Sequence, residues 1–212
     1  NNPLAVIAGR AQMLSAAPEP DRVASIAEII SQQAQRCSDI VIELLQFARP
    51  PKPQPARYGA AALLTELRED FLRRCPLQPD ELVLEVSDLG LWIYADRAQI
   101  TQALKELIGN ALEAMAERPP RLLINCCGRP ADEQVVIAVR DNGRGMSAEV
   151  LKRAFDPFFS DRPAGRGRGL GLCHAYRMVE INGGQLRLES APHQGTTALV
   201  SLPSKPRSRP PV

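Results

Sequence analysis

Three short stretches hold residue types that could grip a phosphorylated ligand. Asp141-Asn142-Gly143-Arg144-Gly145-Met146 follows the apolar run Val135-Val136-Ile137-Ala138-Val139, which reads as a buried strand. Asp-Asn-Gly after a strand is by default a hairpin turn. Here Met146-Ser147-Ala148-Glu149-Val150-Leu151 instead opens a helix with Ser147 as N-cap, and no strand returns. A carboxylate therefore stands at a strand end beside Gly143 and Gly145, whose backbones can approach a ligand closely. On a separate helical stretch, Glu106, Asn110 and Glu113 fall at spacings of four and three and share a face. A solvated polar face explains such a pattern, but Asn is a mediocre helix former and Asn110 lies mid-helix between Gly109 and Ala111. A carboxylate and a carboxamide on one face are hard oxygen ligands suited to Mg²⁺ with phosphate. The third stretch, Gly165-Arg166-Gly167-Arg168-Gly169-Leu170-Gly171-Leu172, runs into an apolar helix. Arg-Gly alternation can mark a disordered RNA-binding tract. A glycine-rich loop feeding a helix N-terminus is instead a phosphate cradle, with free N–H groups and the positive dipole end facing the anion. The stretch has neither the Gly-Lys-Ser/Thr of a P-loop nor the Gly-x-Gly-x-x-Gly of a dinucleotide fold. Gly195-Thr196-Thr197, before the last strand, reads by itself as a turn.

The elements that must position these residues follow from periodicity. Leu4, Ile7, Ala8, Ala11 and Leu14 recur at helical spacing, a Pro-rich turn follows, and a second helix runs from about Asp21 to Ala48. Its positions Val23, Ile26, Ile30, Cys37, Ile40, Leu44 and Phe47 keep a heptad rhythm, broadened by Ile29, Val41 and Leu45. Two such helices bury too little surface alone, so the hairpin (residues 1–49) is expected to dimerise into a four-helix bundle. The Pro-rich residues 50–56 read as a stiff linker, and residues 57–203 as a second domain. There a helix covers Ala60 to Arg74, and Leu82–Val86 and Leu91–Tyr94 are strands separated by a Ser-Asp-Leu-Gly turn. Asp96 caps a long helix reaching about Ala116, strands follow at Leu122–Cys126 and Val135–Val139, and a short helix covers Ala148–Ala154. A helix from Leu170 to Ile181 stops at Asn182-Gly183-Gly184, before a hairpin of Gln185–Glu189 and Thr197–Leu202. The class is α+β: a helical hairpin followed by an α/β sandwich with a mixed sheet. The tail, residues 204–212, is basic and Pro-rich and is expected to be disordered.

Totals exclude several function classes. Hydrophobic residues at 44% and charged residues at 24% are those of a globular protein. A net charge of +2 with 4% aromatics, and no basic stripe interleaved with rings, gives no platform for nucleic acid. No apolar run reaches the length of a membrane span and no signal peptide opens the chain. The five cysteines are odd in number and lack metal-ligand spacing, which fits free thiols in a reducing cytoplasm.

Taken in order, Glu-x-x-x-Asn, Asp-x-Gly-x-Gly, Phe155-Asp156-Pro157-Phe158-Phe159, Gly-x-Gly-Leu-Gly-Leu and Gly-Thr resemble the ATP-binding domain shared by histidine kinases, gyrase-type topoisomerases, the Hsp90 chaperones and MutL. The resemblance covers about residues 57–203. The Phe-rich stretch and Gly-Leu-Gly-Leu are similar to the histidine kinase branch. Asn1-Asn2-Pro3-Leu4 resembles the continuation of the phosphoacceptor box of nitrogen-regulation-type kinases, as does the helix end Phe47-Ala48-Arg49-Pro50-Pro51-Lys52-Pro53.

The resemblance implies the kinase core of a two-component sensor, an ATP-dependent protein-histidine kinase. It would transfer the γ-phosphoryl of Mg-ATP to a histidine of the dimerisation helices, for relay to an aspartate of a response-regulator receiver domain. On the family pattern Asp141 accepts the adenine amino group, Gly143 and Gly145 let the backbone approach, and Thr196 supports the adenine through water. Asn110 holds the Mg²⁺, while Gly167, Gly169, Leu170, Gly171 and Leu172 cradle phosphates under a lid of residues 160–168. Arg162, Arg166 and Arg168 are candidates for charge neutralisation. Partners implied are a second copy through the helical hairpin and a receiver domain, with no nucleic acid and no membrane contact by these residues. The location is cytoplasmic, with a parent protein either soluble or anchored. Two departures stand out. Glu106 occupies a place where the kinases commonly carry Asn; in water-hydrolysing relatives a Glu there is the general base, so an ATPase of the same fold is the alternative, with a non-catalytic dimer scaffold as another. The acceptor histidine should lie three positions before Asn1, and neither His174 nor His193 matches it. The sequence therefore reads as a fragment, or as a chain whose first ordered residue comes after the acceptor, that could bind ATP but not phosphorylate itself on the family's site.

Overall fold

The computed structural model describes residues 3–16, 20–48, 51–116, 119–161 and 169–206. They fall into two compact units, one holding the N-terminal helices and the other starting at Lys52. In the first unit α1 (Pro3–Ser15) packs on α2 (Pro20–Ala48). This pairing buries little: α1 has no buried residue, and Ile26 of α2 is buried while Leu4, Met13, Val23 and Val41 stay exposed.

The second unit is a two-layer sandwich. Strands β2 (Leu82–Val86), β4 (Leu122–Arg129), β5 (Gln134–Asp141), β6 (Gln185–Ser190) and β7 (Thr196–Pro203) form a five-stranded sheet in the order β2-β4-β5-β7-β6. The β2–β4 pair is parallel and the other three pairs are antiparallel, so the sheet is mixed. A parallel pair needs a long crossover, and helix α4 (Arg97–Ala114) supplies it between β2 and β4. Along β4, Leu122, Ile124 and Cys126 are buried and the residues between them only half-buried, the period of two that turns one sheet face to the core. Register lines Ile124 up with Val139, and Val139 with Ala198. Against this face lie α3 (Ala60–Arg74) with Leu63, Leu64 and Leu67, α4 with Ile100, Leu104 and Ile108, and α6 (Gly171–Ile181) with Ala175, Met178 and Val179. Each fully buried Leu or Ile contributes roughly 1.5–3 kcal/mol of transfer free energy.

Two features were not foreseen. Residues 56–59 form β1 (Ala56–Gly59), which pairs antiparallel with β3 (Trp92–Ala95) in a separate ribbon. The strands on either side of the Ser-Asp-Leu-Gly turn consequently belong to different sheets. Alternation marks a strand but carries no information on its partner, and β2 finds its partner across α4. The antiparallel pair β4–β5 runs through all eight residues of each strand, and the loop between them holds a short 3-10 turn at Pro130–Asp132.

Candidate functional site

Helix α4 begins at a firm cap: Asp96 Oδ1 accepts N–H bonds from Ala98 and Gln99 at 3.0 and 3.1 Å. Its apolar face is buried, which leaves Glu106 and Asn110 half-buried on the flank and Glu113 exposed. Glu106 Oε1 accepts a hydrogen bond from Gln102 Nε2 at 2.8 Å. The other carboxylate oxygen faces the start of α6: a Cβ placed on Gly171 would lie 2.8 Å from Glu106 Oε2 and 3.4 Å from Asn110 Nδ2. Only a glycine fits there without moving Glu106, so the polar flank of α4 and the N-terminus of α6 form one surface. Leu170 is the N-cap of α6 and gives no side-chain cap, unlike Asp96 of α4 or Ser147 of α5 (Ala148–Arg153). Uncapped first-turn N–H groups at the positive end of a helix dipole suit an anion.

The end of β5 lies one helical turn further along α4. Arg144 N donates to Ala114 O at 3.2 Å, and a Cβ on Gly143 would meet Ala114 Cβ and O at 2.8 Å. Asp141 is only 6% exposed. Its Oδ1 accepts from Gly143 N at 2.8 Å and from Thr196 N at 3.1 Å, and no salt bridge among the described residues reaches it. Burial pushes its carboxyl up from the ordinary value, more than those two N–H donations pull it back. A buried carboxylate with one oxygen held by the backbone is set to accept a ligand N–H with the other. The glycines permit the close approach. Gly145 has φ +66° and its Cβ would strike Ala191 O; Gly195 has φ +80° and its Cβ would strike Asp141 O.

Residues missed in the sequence complete this end. Ser190 Oγ accepts from Met146 N, donates to Gly195 O and lies against Thr196 Oγ1, all at 2.9 Å, which locks the loop after Asp141 to the β6–β7 turn. The signal was a small hydroxyl residue closing β6 opposite Thr196. Asn142 has a structural task, bonding Pro119 O and Arg121 N ahead of β4. The Phe-rich stretch meets the glycine-rich stretch at Gly169. Phe158, at φ +64°, donates its N–H to Gly169 O at 2.9 Å. Of the predicted cradle, Gly169 to Leu172 lie here, with Leu170 buried and Leu172 packed on the core, so these two can offer only backbone groups. Gly167, Arg162, Arg166 and Arg168 lie outside the described residues.

These residues fit a ligand with an N–H donor at one end and phosphates at the other. Among the described residues no cluster of three or more His, Cys, Asp or Glu could hold a metal. A cation here would therefore take one or two protein oxygens and complete its shell with phosphate and water, the habit of Mg²⁺.

Comparison with known proteins shows which family the chain belongs to. Residues 95–206 match the family described as histidine kinase-, DNA gyrase B- and HSP90-like ATPase, and residues 1–52 match the His Kinase A (phospho-acceptor) domain. The chain is 30% identical over 205 residues to the C4-dicarboxylate transport sensor protein DctB of Pseudomonas aeruginosa, covering 95% of this chain and 33% of that protein. It is 29% identical to the sensor protein FixL of Bradyrhizobium diazoefficiens, covering 96% and 41%. The chain thus spans about a third to two-fifths of the length of these relatives. The crystal structure of histidine kinase ThkA in complex with response regulator protein TrrA overlays with a TM-score of 0.76 at 23% identity, covering 98% of this chain and 59% of that one. The chain belongs to the histidine kinase-, DNA gyrase B- and HSP90-like ATPase family, on its sensor histidine kinase branch.

Proposed function

We propose that this chain is the ATP-binding and dimerisation core of an ATP-dependent protein-histidine kinase in a two-component system. The observation that carries the reading is Asp141, a buried carboxylate with no cationic partner among the described residues and one oxygen held by two backbone N–H groups. It accepts the adenine amino group. Guanine would bring a carbonyl against the same carboxylate, two acceptors face to face in a buried site. Gly143 and Gly145 let the chain approach the nucleotide, and Thr196 supports the ring through water. The N–H groups of Gly169, Leu170, Gly171 and Leu172 receive phosphate oxygens. Asn110 would hold Mg²⁺, which would supply charge neutralisation to the phosphates. A histidine nitrogen of the dimerisation helices forms the new P–N bond as the bond from the γ-phosphorus to the β-phosphate oxygen breaks. The chain contributes positioning and charge stabilisation. A receiver-domain aspartate then takes the phosphoryl group.

The exposed apolar residues Leu4, Val23 and Val41 support dimerisation through the helices, and the cytoplasm is where ATP and a receiver domain would meet this core. The test is to extend the chain upstream through the acceptor box and incubate it with labelled ATP. An acid-labile, alkali-stable phosphoprotein is expected, and its absence overturns the reading. Glu106 favours a second activity at the same site, because its Oε2 faces the α6 N-terminus where phosphates would sit. As general base for water it would give phosphate release without any phosphoprotein, abolished in Glu106→Gln. A scaffold with a dead site would show no rise in melting temperature with nucleotide.

A further inference from the structure

Helices α4 and α6 pack along each other, and polar groups meet at both ends of the contact, only one of which lies in the nucleotide site. Beyond it, Asn182 at the C-terminus of α6 donates from Nδ2 to Gln99 Oε1 at 2.7 Å and to Met178 O at 2.8 Å. Asn182 Oδ1 accepts from Asp96 N at 2.7 Å. Gln99 and Asn182 are each 8% exposed. Eleven residues separate Gly171 from Asn182, and eleven separate Gln99 from Asn110, so the helices run antiparallel. At 1.5 Å per residue, the two contacts are about 16 Å apart along both axes. Apolar side chains such as Leu107, Ala175 and Val179 fill the space between. Apolar burial is non-directional: it draws the helices together without fixing how far one slides along the other. The amide bonds at the far end are directional and buried, and leaving them unmade is costly.

We propose that Asp96, Gln99 and Asn182 form a positioning clamp that sets the register of α6 along α4, and so the placement of the α6 N-terminus against Glu106 and Asn110. The inference rests on the nucleotide-binding reading of that site. Ending the helix does not require the Asn182 side chain, because Gly183 N to Glu180 O at 2.8 Å and Gly184 N to Val179 O at 2.9 Å already close the last turn. A slip of one residue would break the Asn182 bonds to Gln99 and Asp96 and carry Gly171 about 1.5 Å. A misplacement of roughly 1 Å in a reacting site can cost about 100-fold. The clamp also has an outside anchor. Asp96 Oδ2 accepts from Gln54 N at 2.8 Å, and Ala56 pairs with Ala95 in the β1–β3 ribbon, so the end of the Pro-rich segment is stitched to the residue that caps α4 and bonds Asn182.

The experiment compares the full chain with Gln99→Met and, as a second lesion of the same bond, Asn182→Leu. Affinity for Mg-ATP is measured by calorimetry and for adenosine by NMR titration, with melting temperature recorded for each. Adenosine reads the Asp141 end, which the clamp does not touch. The clamp predicts a loss of about tenfold or more for ATP and a change within about twofold for adenosine. Unchanged ATP affinity in both variants overturns it, as does an equal loss of ATP and adenosine, the mark of a merely structural amide pair. Wild-type protein that binds neither ligand overturns the reading of the site and the clamp with it.

Discussion

Replacing Asp141 by Asn isolates what its charge and second oxygen do. The amide oxygen can keep both backbone bonds, from Gly143 N at 2.8 Å and Thr196 N at 3.1 Å, so the loop geometry survives. The amide NH₂ then stands where the carboxylate would face the adenine amino group, donor against donor. A hydrogen bond to a charged group contributes about 1.5–3 kcal/mol, and a buried donor left unsatisfied costs about 1–3 kcal/mol. A loss near 3 kcal/mol corresponds to ATP binding weakened on the order of 100-fold. The same NH₂ suits the guanine carbonyl, so the ATP-to-GTP preference should collapse by more than ATP affinity alone falls. Calorimetry with both nucleotides on wild type and variant reads this directly. A folded variant with unchanged ATP affinity and an unchanged preference would refute the role given to Asp141 and with it the placement of the nucleotide.

The raised Asp141 carboxyl gives a pH prediction. Burial disfavours its charged form, so the folded state holds the proton more tightly than the unfolded one, and this group's contribution to stability falls as pH rises from the ordinary carboxylate range through the raised value. Melting temperature against pH should lose that slope in Asp141→Asn, while ATP affinity of the wild type should weaken on acidification through the same window. Gly145→Ala should unfold the domain more readily, because φ +66° costs a non-glycine roughly 1–2 kcal/mol before the clash with Ala191 O is counted; denaturant titration measures it. Gly171→Ala should leave the melting temperature within a few degrees, since its clash is with the movable end of Glu106, yet lower ATP affinity by about tenfold; equal affinity would mean the Gly171 N–H region holds no phosphate. Alkylation of the native protein should spare Cys126, whose thiol burial pushes up to about 12, and reach it only on unfolding, as peptide mapping would show.

How far the sequence carries depends on whether a residue's task is local. Asp96 as a cap, Ser147 as a cap and Gly183 at φ +73° after α6 are local devices, and all three stand where the pattern put them. The polar flank of α4 was legible for the same reason, because a helix carries its own ruler. The partnership of β2 with β4 was hidden, since pairing across a helix is a tertiary choice that alternation cannot encode. Ser190 was only half legible: a hydroxyl residue closing β6 opposite Thr196 was the signal, but its bonds to Met146 N and Gly195 O are tertiary and leave no local mark. The same distinction explains the order of parts along α4. Its cap residue meets Asn182, its middle meets Gly171 and its end meets Gly143, so one rigid rod gauges the separation of the α6 N-terminus from the end of β5. From Glu106 to Ala114 is eight residues, or about 12 Å of rise. Stretches far apart in the chain can therefore be read as one site only because the element between them has fixed length. This is why the long helix with Asn110 is the motif from which the others gain their meaning.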